Sequence, residues 1–371
     1  MSKKALPVMI GAVLAGGMSV AAADITMFGH IDEAVTAWDT DGIGHDITLQ
    51  CTTCSIGFKG SEDLGNGLKA IFSLDWQYDI NNRHTVSSNT YTYTSEGGGV
   101  FTYTTGSKGS SALTDRDQWV GLAGGFGQVR IGTISTLYKS HGAEIDPLYR
   151  TSLQGRDAGL QSDLHNGAGE ELQGRATNTV RWDSPDFNGI KVGATYTVDS
   201  SKSDGEDKDP YGVGASYQNG GLLAFADYMD NQQSGMAKKK AWKLGGKYDM
   251  GMFSVMGQYE RFDDSLIWND DERVWHVAGG VNGLLGMNLY LGYGEGKNED
   301  NDQGYFAWTL AVSHDLSKLT MLYAGYTEVN CDPKANDPAA GAPMAACTVI
   351  PVGIPGAGYS GTFNVGMKLK F

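Results

Sequence analysis

The sequence predicts one domain, an all-β, sixteen-stranded antiparallel transmembrane β-barrel over residues 24–371. Three observations predict it: sixteen segments in which apolar and polar residues alternate, connections that are alternately short and long, and charges on the polar face of one segment after another. Alternation with a period of two puts successive side chains on opposite faces of a strand. Tight turns at one rim and long loops at the other are typical of a barrel that crosses a membrane.

Residues 1–23 have the composition of a secretory signal peptide. Lys3 and Lys4 form a short positive region, an apolar and Gly-containing stretch follows, and Ala21–Ala23 supplies small residues for cleavage before Asp24. We therefore expect an exported chain that begins at Asp24. Beyond that residue no apolar run reaches the roughly 18 residues that a transmembrane helix needs.

Three segments display the alternation clearly: Leu68–Trp76, Thr179–Asp183 and Phe363–Phe371. In the second of them Trp182 belongs to the apolar face and Arg181 to the polar face. A dry core does not hold many unpaired ions, because burying a charge without a partner is very unfavourable. A water-filled lumen does, so we expect the polar faces to point inwards.

The connections between the segments are of two kinds. The short ones are rich in Gly, Asn and Asp, which supply the positive φ of tight turns: 63–67, 124–127, 186–189, 219–221, 249–251, 282–286 and 315–318. The long ones are polar: 81–115, 137–174, 200–210 and 331–360. Aromatic residues near segment ends predict two girdles at the membrane interfaces: Phe28, Trp76, Trp119, Trp182, Tyr196, Trp242, Tyr259, Trp275, Tyr293, Trp308 and Tyr326.

Net charge limits the partners. The chain has a formal net charge of −15, and loss of Lys3 and Lys4 with the signal peptide makes it two units more negative. An acidic chain repels nucleic acid, so we expect no nucleic-acid partner.

The 4 Cys are expected to form disulfides, because the chain is exported. Cys51 and Cys54 are also open to interpretation as a redox or half-zinc motif, but a zinc site requires a second pair nearby. Fully extended, this segment would separate their Cα atoms by about 10 Å, so it must turn if the two pair with each other. Four cysteines allow three connectivities. We expect Cys331 to pair with Cys347, and cross-pairing between the first and last long loops, such as Cys347 with Cys51, stays open.

The chain carries no recognisable catalytic arrangement. Gly-x-Ser-x-Gly does not occur in residues 24–371, and the 7 His show no paired spacing. The acidic runs Ser203–Asp209, Asp263–Glu272 and Asn298–Asp302 are open to divalent-ion binding, but none has EF-hand spacing and solvated loops are the simpler interpretation. We therefore expect no enzyme activity, no cofactor and no dedicated metal site.

Four stretches resemble the Gram-negative general porin family, in the family's order. Ile56–Ala70 (IGFKGSEDLGNGLKA) resembles its second strand, first turn and third strand, and Arg116–Gly132 (RDQWVGLAGGFGQVRIG) its fourth and fifth strands. Asn178–Gly189 (NTVRWDSPDFNG) resembles the sixth strand, and Phe363–Phe371 (FNVGMKLKF) the last strand, whose terminal Phe the family's assembly machinery reads. The resemblance implies a homotrimer in the Gram-negative outer membrane. Its implied partners are membrane lipids, lipopolysaccharide and the barrel-assembly machinery.

The resemblance also implies that 137–174, which corresponds to the family's third extracellular loop and is called the third loop below, folds into the lumen and narrows it, with acidic residues facing a basic wall. The acidic role falls on Glu144 and Asp146. The basic role falls on four residues, the first by its match to the family and the others by inward parity: Arg116, Lys59, Arg130 and Arg181. Ser55 and Thr133 stand where the family often has Arg, which thins the basic wall.

Together these features predict a water-filled channel for passive diffusion of ions and small hydrophilic solutes. The acidic net charge and the thinned basic wall predict mild cation selectivity. One alternative is a substrate-selective porin for sugars or oligosaccharides, which a track of lumen aromatics would favour, with Tyr103, Tyr138, Tyr149 and Tyr323 as candidates. The other is a closed barrel that acts as an adhesin or receptor and conducts no ions.

Overall fold

The structure is a computed structural model that describes residues 24–40, 44–81, 89–94, 100–105, 113–158, 174–198, 209–231, 239–263, 271–299, 304–331 and 359–371. Within these ranges the chain forms nineteen strands, one α-helix and one 3₁₀ helix. No helix among them is long and apolar enough to cross a membrane. The predicted signal peptide lies outside the described residues.

The strands, in chain order, are β1 (Asp24–Thr40), β2 (Gly44–Cys51), β3 (Ser55–Gly65), β4 (Leu68–Gln77), β5 (Asn89–Thr94), β6 (Val100–Thr105), β7 (Thr114–Gly124), β8 (Gly127–Ser135), β9 (Arg175–Asp183), β10 (Ile190–Thr197), β11 (Tyr211–Asn219), β12 (Leu222–Asn231), β13 (Lys239–Asp249), β14 (Phe253–Asp263), β15 (Glu272–Leu284), β16 (Met287–Asn298), β17 (Gly304–Asp315), β18 (Thr320–Cys331) and β19 (Tyr359–Lys370). Helix α1 (Leu137–Ile145) and the 3₁₀ helix Gly155–Ala158 lie between β8 and β9.

The barrel strands pair antiparallel in chain order, and the sheet closes on itself between β1 and β19. The closing register runs from His30 opposite Lys370 to Thr40 opposite Ser360. Strands β2 and β3 pair with successive parts of β1, so they form one spanning strand with an interruption. With β2 and β3 counted as one, and the separate β5–β6 hairpin left out, the barrel has sixteen strands, which confirms the predicted fold class.

The two faces of the wall follow the predicted alternation. Leu74 and Trp182 lie on the outer face, with 39% and 37% of their surface exposed, whereas Asp75 and Arg181 are buried on the inner face. An outer belt of apolar side chains and an inner surface of polar ones are what a barrel in a lipid bilayer requires.

Aromatic rings form a row on the outer face from β13 to β18. Centroids of neighbouring rings lie 5.4 to 5.6 Å apart in the pairs Trp242–Tyr259, Trp275–Tyr293 and Trp308–Tyr326. The girdle prediction therefore agrees with the structure for this part of the barrel.

The girdle prediction is wrong for Phe28 and Trp119, which face the lumen. Phe28 stands opposite Gly57 on the inner face of β3. Trp119 pairs with the buried Ser73 of β4. A β-bulge shifts the register between β4 and β7 at Leu74–Trp76. After the bulge, the residues of β7 that face the lumen are the odd-numbered ones, including Trp119. Sequence alternation does not reveal such a bulge.

The third loop folds into the lumen, as the resemblance implies. Helix α1 begins after Thr136, whose hydroxyl accepts a hydrogen bond from the backbone N–H of Lys139 at 3.3 Å. The helix packs against β10–β14. Beyond it, Leu148 and Leu153 pack with inward residues of several strands in one apolar cluster that includes Ala34, Phe225, Met256, Ala278, Tyr290, Ala311 and Tyr323. This packing covers much of the inner wall and narrows the passage.

Cys51 and Cys54 form a disulfide, and the segment between them turns as the distance argument requires. Their Cα atoms are 5.9 Å apart, and Thr53 has a φ of 53°. The bond excludes the alternative that joins Cys347 to Cys51. Pairing of Cys331 with Cys347 stays a prediction, because Cys347 lies outside the described residues.

Phe371 lies at the seam that closes the barrel. The Gly29 N–H donates to the Phe371 carbonyl at 3.0 Å, and the Phe371 N–H donates to the Gly29 carbonyl at 3.1 Å. The Phe371 ring covers Gly29, where an added β-carbon would come within 2.6 Å of it. The terminal residue thus fits a site that only Gly provides.

Deleting Phe371 is expected to lower the amount of heat-modifiable oligomer in the outer membrane, because it removes both seam hydrogen bonds and the ring. Each hydrogen bond contributes about 0.5–1.5 kcal/mol to stability. By resemblance to the family, the deletion also removes the residue that the assembly machinery reads. Electrophoresis of unheated and heated membrane samples measures the effect, with Phe371→Tyr as the control that keeps the ring. Undiminished oligomer in the deletion would contradict the prediction.

Candidate pore constriction

Arg116 on β7 is held against β4 inside the lumen. Its Nε donates to Oδ2 of Asp75 at 2.9 Å and its Nη1 to Oε1 of Gln77 at 3.2 Å, and only 1% of its surface is exposed. Charge-assisted hydrogen bonds of this kind fix the orientation of a guanidinium group. Arg116 is therefore a rigid part of the wall.

Arg130 and Arg181 share one carboxylate, that of Asp183. Arg181 contacts it at 2.7 Å, and Arg130 forms an ion pair with its other oxygen. Nη1 of Arg181 also donates to the Ser135 carbonyl at 2.6 Å and to the Ser140 hydroxyl at 3.2 Å. Arg181 therefore fastens the beginning of the third loop to the wall, and Arg130 shares its carboxylate.

Lys59 faces the lumen, as its parity predicts, but it stands apart from the arginines. Its ammonium lies 5.4 Å from the centroid of the Phe28 ring on the neighbouring strand. The structure thus brings Arg130 and Arg181 together, holds Arg116 separately on Asp75, and leaves Lys59 over an aromatic ring.

Glu144 is exposed near the end of α1. It lines a cavity of about 280 Å³ together with Ser140, Arg181, Asp183 and Lys191. Glu144 and Arg181 thus line one cavity, and their opposition across a constriction stays a prediction.

Asp146, the second predicted acid, is buried within the third loop. Its Oδ1 accepts a hydrogen bond from the Leu148 N–H at 2.9 Å, and its Oδ2 accepts one from the Gly155 N–H at 2.9 Å. Burial raises the pKa of Asp146 to about 6, although both hydrogen bonds lower it. The carboxylate serves the conformation of the loop, and its two oxygens do not face the passage freely.

Replacing Asp146 with Ala is expected to loosen the third loop, because two buried N–H groups lose their acceptor at about 1–3 kcal/mol each. Amide hydrogen exchange at Leu148 and Gly155 should become faster, and single-channel current should become noisier. Glu144→Ala is the matched control, since that side chain is exposed. Equal exchange in Asp146→Ala and the native chain would contradict the role given to this carboxylate.

Basic residues of the third loop were not among the predicted site residues. The guanidinium groups of Arg150 and Arg156 lie 5.5 and 4.8 Å from the centroid of the Tyr149 ring. Burial alone raises the pKa of Tyr149, but Arg156, Arg150 and Arg116 lower it to about 8. The signal available in the sequence was the occurrence of Arg150 and Arg156 in a loop expected to enter the lumen.

The start of β9 and the start of α1 add further charges. Nε of Arg175 donates to Oδ1 of Asp117 at 3.0 Å. Burial lowers the pKa of Lys139 well below its usual value, and the nearby Arg175 and Arg156 lower it further. Charged side chains of the third loop and of the strands β4 and β7–β9 include seven basic and five acidic ones: Arg116, Arg130, Lys139, Arg150, Arg156, Arg175 and Arg181, and Asp75, Asp117, Glu144, Asp146 and Asp183.

A second polar cluster lies between α1 and the wall. The buried Lys243 donates to the Tyr138 carbonyl, and its ammonium lies 4.1 Å from the centroid of that ring. The Tyr138 hydroxyl donates to Glu260 at 2.7 Å, and Nδ1 of His141 lies 2.8 Å from Oδ1 of Asp227. These contacts anchor the helix to the wall.

The chain forms a closed barrel with an apolar outer face, a charged inner wall and a loop packed inside. These features are typical of outer-membrane porins. In the described part of the chain no group of three or more His, Cys, Asp or Glu is arranged to hold a metal ion. The arrangement offers a passage lined by fixed charges.

The chain belongs to the Gram-negative porin family, whose sequence profile matches residues 11–333. Membership places it in the outer membrane of a Gram-negative bacterium and points to a channel rather than an enzyme. The described β-barrel agrees with that location.

Major outer membrane proteins P.IB of Neisseria are similar in sequence. The protein of Neisseria lactamica is 31% identical over 348 residues, which cover 86% of this chain and 93% of that protein. The match to Neisseria gonorrhoeae is 30% identical over 230 residues and covers 58% of this chain and only 54% of that protein.

Solved porin structures have the same fold. An anion-selective porin from Comamonas acidovorans matches with a TM-score of 0.70 at 21% identity, over 94% of this chain and 100% of that chain. Salmonella typhi OmpF matches with a TM-score of 0.63 at 14% identity, over 94% of this chain and 97% of that chain.

Proposed function

We propose that the chain forms a water-filled channel for passive diffusion of ions and small hydrophilic solutes. The observation that carries the proposal is the inner wall, where Arg116, Arg130 and Arg181 project from neighbouring strands towards an inserted loop. Fixed charges at a narrowing select solutes by size and by electrostatic field, without a cofactor or a chemical step.

We further propose that the constriction prefers anions weakly. The third loop and the strands β4 and β7–β9 carry more basic than acidic side chains among those described above. The field of charges at the narrowest point acts more strongly on a permeating ion than the field of charges on outer loops. The net charge of −15, which predicts cation preference, is a sum over the whole chain. The structurally similar porin of Comamonas acidovorans is named anion-selective. The likeness is one of fold, so it supports anion preference here only by analogy.

The two alternative functions have less support. Tyr138 and Tyr323 are buried, with 2% and 3% of their surface exposed, so they offer little ring surface to a sugar. The side chain of Tyr103 lies outside the described part of the chain. A closed barrel that acts as an adhesin would have no ion conductance, which is directly measurable.

The proposed assembly is a homotrimer in contact with outer-membrane lipids and lipopolysaccharide, inserted by the barrel-assembly machinery. The outward-facing aromatic row of β13–β18 suits a lipid–water interface. Cross-linking in whole cells followed by mass measurement tests the number of subunits.

Single-channel recording in planar bilayers across a KCl gradient tests both proposals. We expect steady conductance without saturation at low salt, and a reversal potential of the sign given by chloride preference. The preference should weaken as salt rises past roughly 0.1 M, where the Debye length falls to about 10 Å. Absence of conductance would defeat the channel proposal, and a potential of opposite sign would restore the mild cation selectivity that net charge predicts.

A further inference from the structure

The disulfide-closed turn Cys51–Cys54 interrupts the second spanning strand on the inner side of the barrel. Strand β2 ends at Cys51 and β3 begins at Ser55. The turn is fixed on both sides: the Thr52 N–H donates to the Asp32 carbonyl at 3.1 Å, and the Tyr78 N–H donates to the Cys54 carbonyl at 3.0 Å. Cys54 is fully buried.

Thr53, at the tip of this turn, reaches the lumen residue His30. Its Oγ1 lies 3.2 Å from Nε2 of His30, and only 2% of the His30 surface is exposed. On the other side of the ring, Nδ1 lies 3.2 Å from Nη1 of Arg150 and 3.1 Å from Oγ of Ser55.

The contact with Arg150 determines which ring nitrogen carries the proton. A guanidinium group donates hydrogen bonds and accepts none, so Nδ1 of His30 must be the acceptor. The proton of the neutral imidazole then sits on Nε2, which donates to Thr53. The Thr53 hydroxyl accepts this hydrogen bond, so it orients the imidazole in the tautomer that receives Arg150.

Arg150 is a cation of the constriction. It belongs to the third loop, has a φ of 62°, and its guanidinium lies near Tyr149. Together with Arg116 and Arg156 it acts electrostatically on the Tyr149 hydroxyl. The contact with His30 and the hydrogen bond with the Tyr149 hydroxyl together restrict where this long side chain places its guanidinium group.

We propose that the Cys51–Cys54 turn is a positioning element of the pore, which sets ion selectivity by holding Arg150 in the passage through Thr53 and His30. This rests on the proposed channel function. The disulfide keeps the turn closed, the Thr53 hydroxyl orients the imidazole, and the imidazole receives the guanidinium group.

The test compares reversal potential and conductance of the native channel with those of Cys51→Ser/Cys54→Ser, Thr53→Val and Arg150→Gln. Thr53→Val keeps the shape of the side chain and replaces only the hydroxyl with a methyl group. It therefore tests the proposal even if the double serine variant assembles poorly. We expect all three to shift the reversal potential towards cations, with Arg150→Gln the largest. Cys331→Ser/Cys347→Ser is the matched control and should leave the potential unchanged.

The decisive variant combines Arg150→Gln with Cys51→Ser/Cys54→Ser. If the turn acts through Arg150, its loss adds no further shift once the guanidinium is gone. An equal further shift in that background, or a native potential in both Thr53→Val and the serine pair, would overturn the proposal. Absence of conductance in the native chain would instead defeat the channel function, so the two failures are distinguishable.

Discussion

Replacing Lys243 with Met is expected to detach α1 from the wall and to change the conductance more than any other single substitution. Lys243 is fully buried on β13, between Asp227 of β12 and Glu260 of β14 in the strand register. Its ammonium also binds the Tyr138 carbonyl of α1. Removing one partner from a buried set of charges costs about 3–5 kcal/mol, because Asp227 and Glu260 then lose the ammonium group between them.

Single-channel recording should detect the change as larger and fluctuating current, since the helix that narrows the passage is no longer held. Thermal unfolding of the purified channel should begin at a lower temperature. Lys247→Met, on the inner face of the same strand and away from α1, is the matched control. Lys243→Met/Glu260→Gln should recover part of the lost stability, because it also removes the negative charge of Glu260, which faced the ammonium group. Native conductance and stability in Lys243→Met would disprove the anchoring role.

Replacing Arg116 with Gln is expected to lower stability and to move the reversal potential towards cations. The Arg116 and Asp75 side chains are only 2% and 6% exposed, and their ion pair is 2.9 Å long. The single substitution leaves the Asp75 carboxylate buried without a counter-charge, a loss of about 3–5 kcal/mol.

The double variant Arg116→Gln/Asp75→Asn separates charge from packing. It restores the local charge balance, so its reversal potential should return towards the native value and its stability should recover in part. A potential that stays shifted in the double variant would show that the geometry of the wall, and not its charge, sets selectivity. A native potential in Arg116→Gln would remove Arg116 from the constriction.

The spanning strands were predictable from local sequence. Alternation in Leu68–Trp76 and Phe363–Phe371 indicates a strand with one face towards water and one towards lipid. Successive side chains of a regular β-strand point to opposite faces, so the period of two is visible in the sequence. The sequence also predicted that Cys51–Cys54 must turn if the two cysteines form a disulfide, because an extended segment would hold them too far apart. Errors arose where a bulge changed the parity, as at Trp119.

The site was predictable only in outline. Parity placed Arg116, Arg130 and Arg181 on the inner face, but it did not give their partners, since those depend on the register of strands distant in sequence. Asp146 was assigned to the passage by its resemblance to an acidic loop, whereas the structure gives both of its oxygens to backbone N–H groups. Arg150 was missed because its importance depends on His30, which is 120 residues away in sequence.

The sequence alone determined that this chain is an exported, sixteen-stranded barrel with a charged interior, because strand pleat and turn chemistry act over a few neighbouring residues. Only the tertiary structure decided which charges meet. The path of the third loop across the lumen brings Arg150 to His30 and Lys243 to Tyr138. Such contacts follow from the closure of the whole barrel around the loop, and no local pattern of residues encodes them.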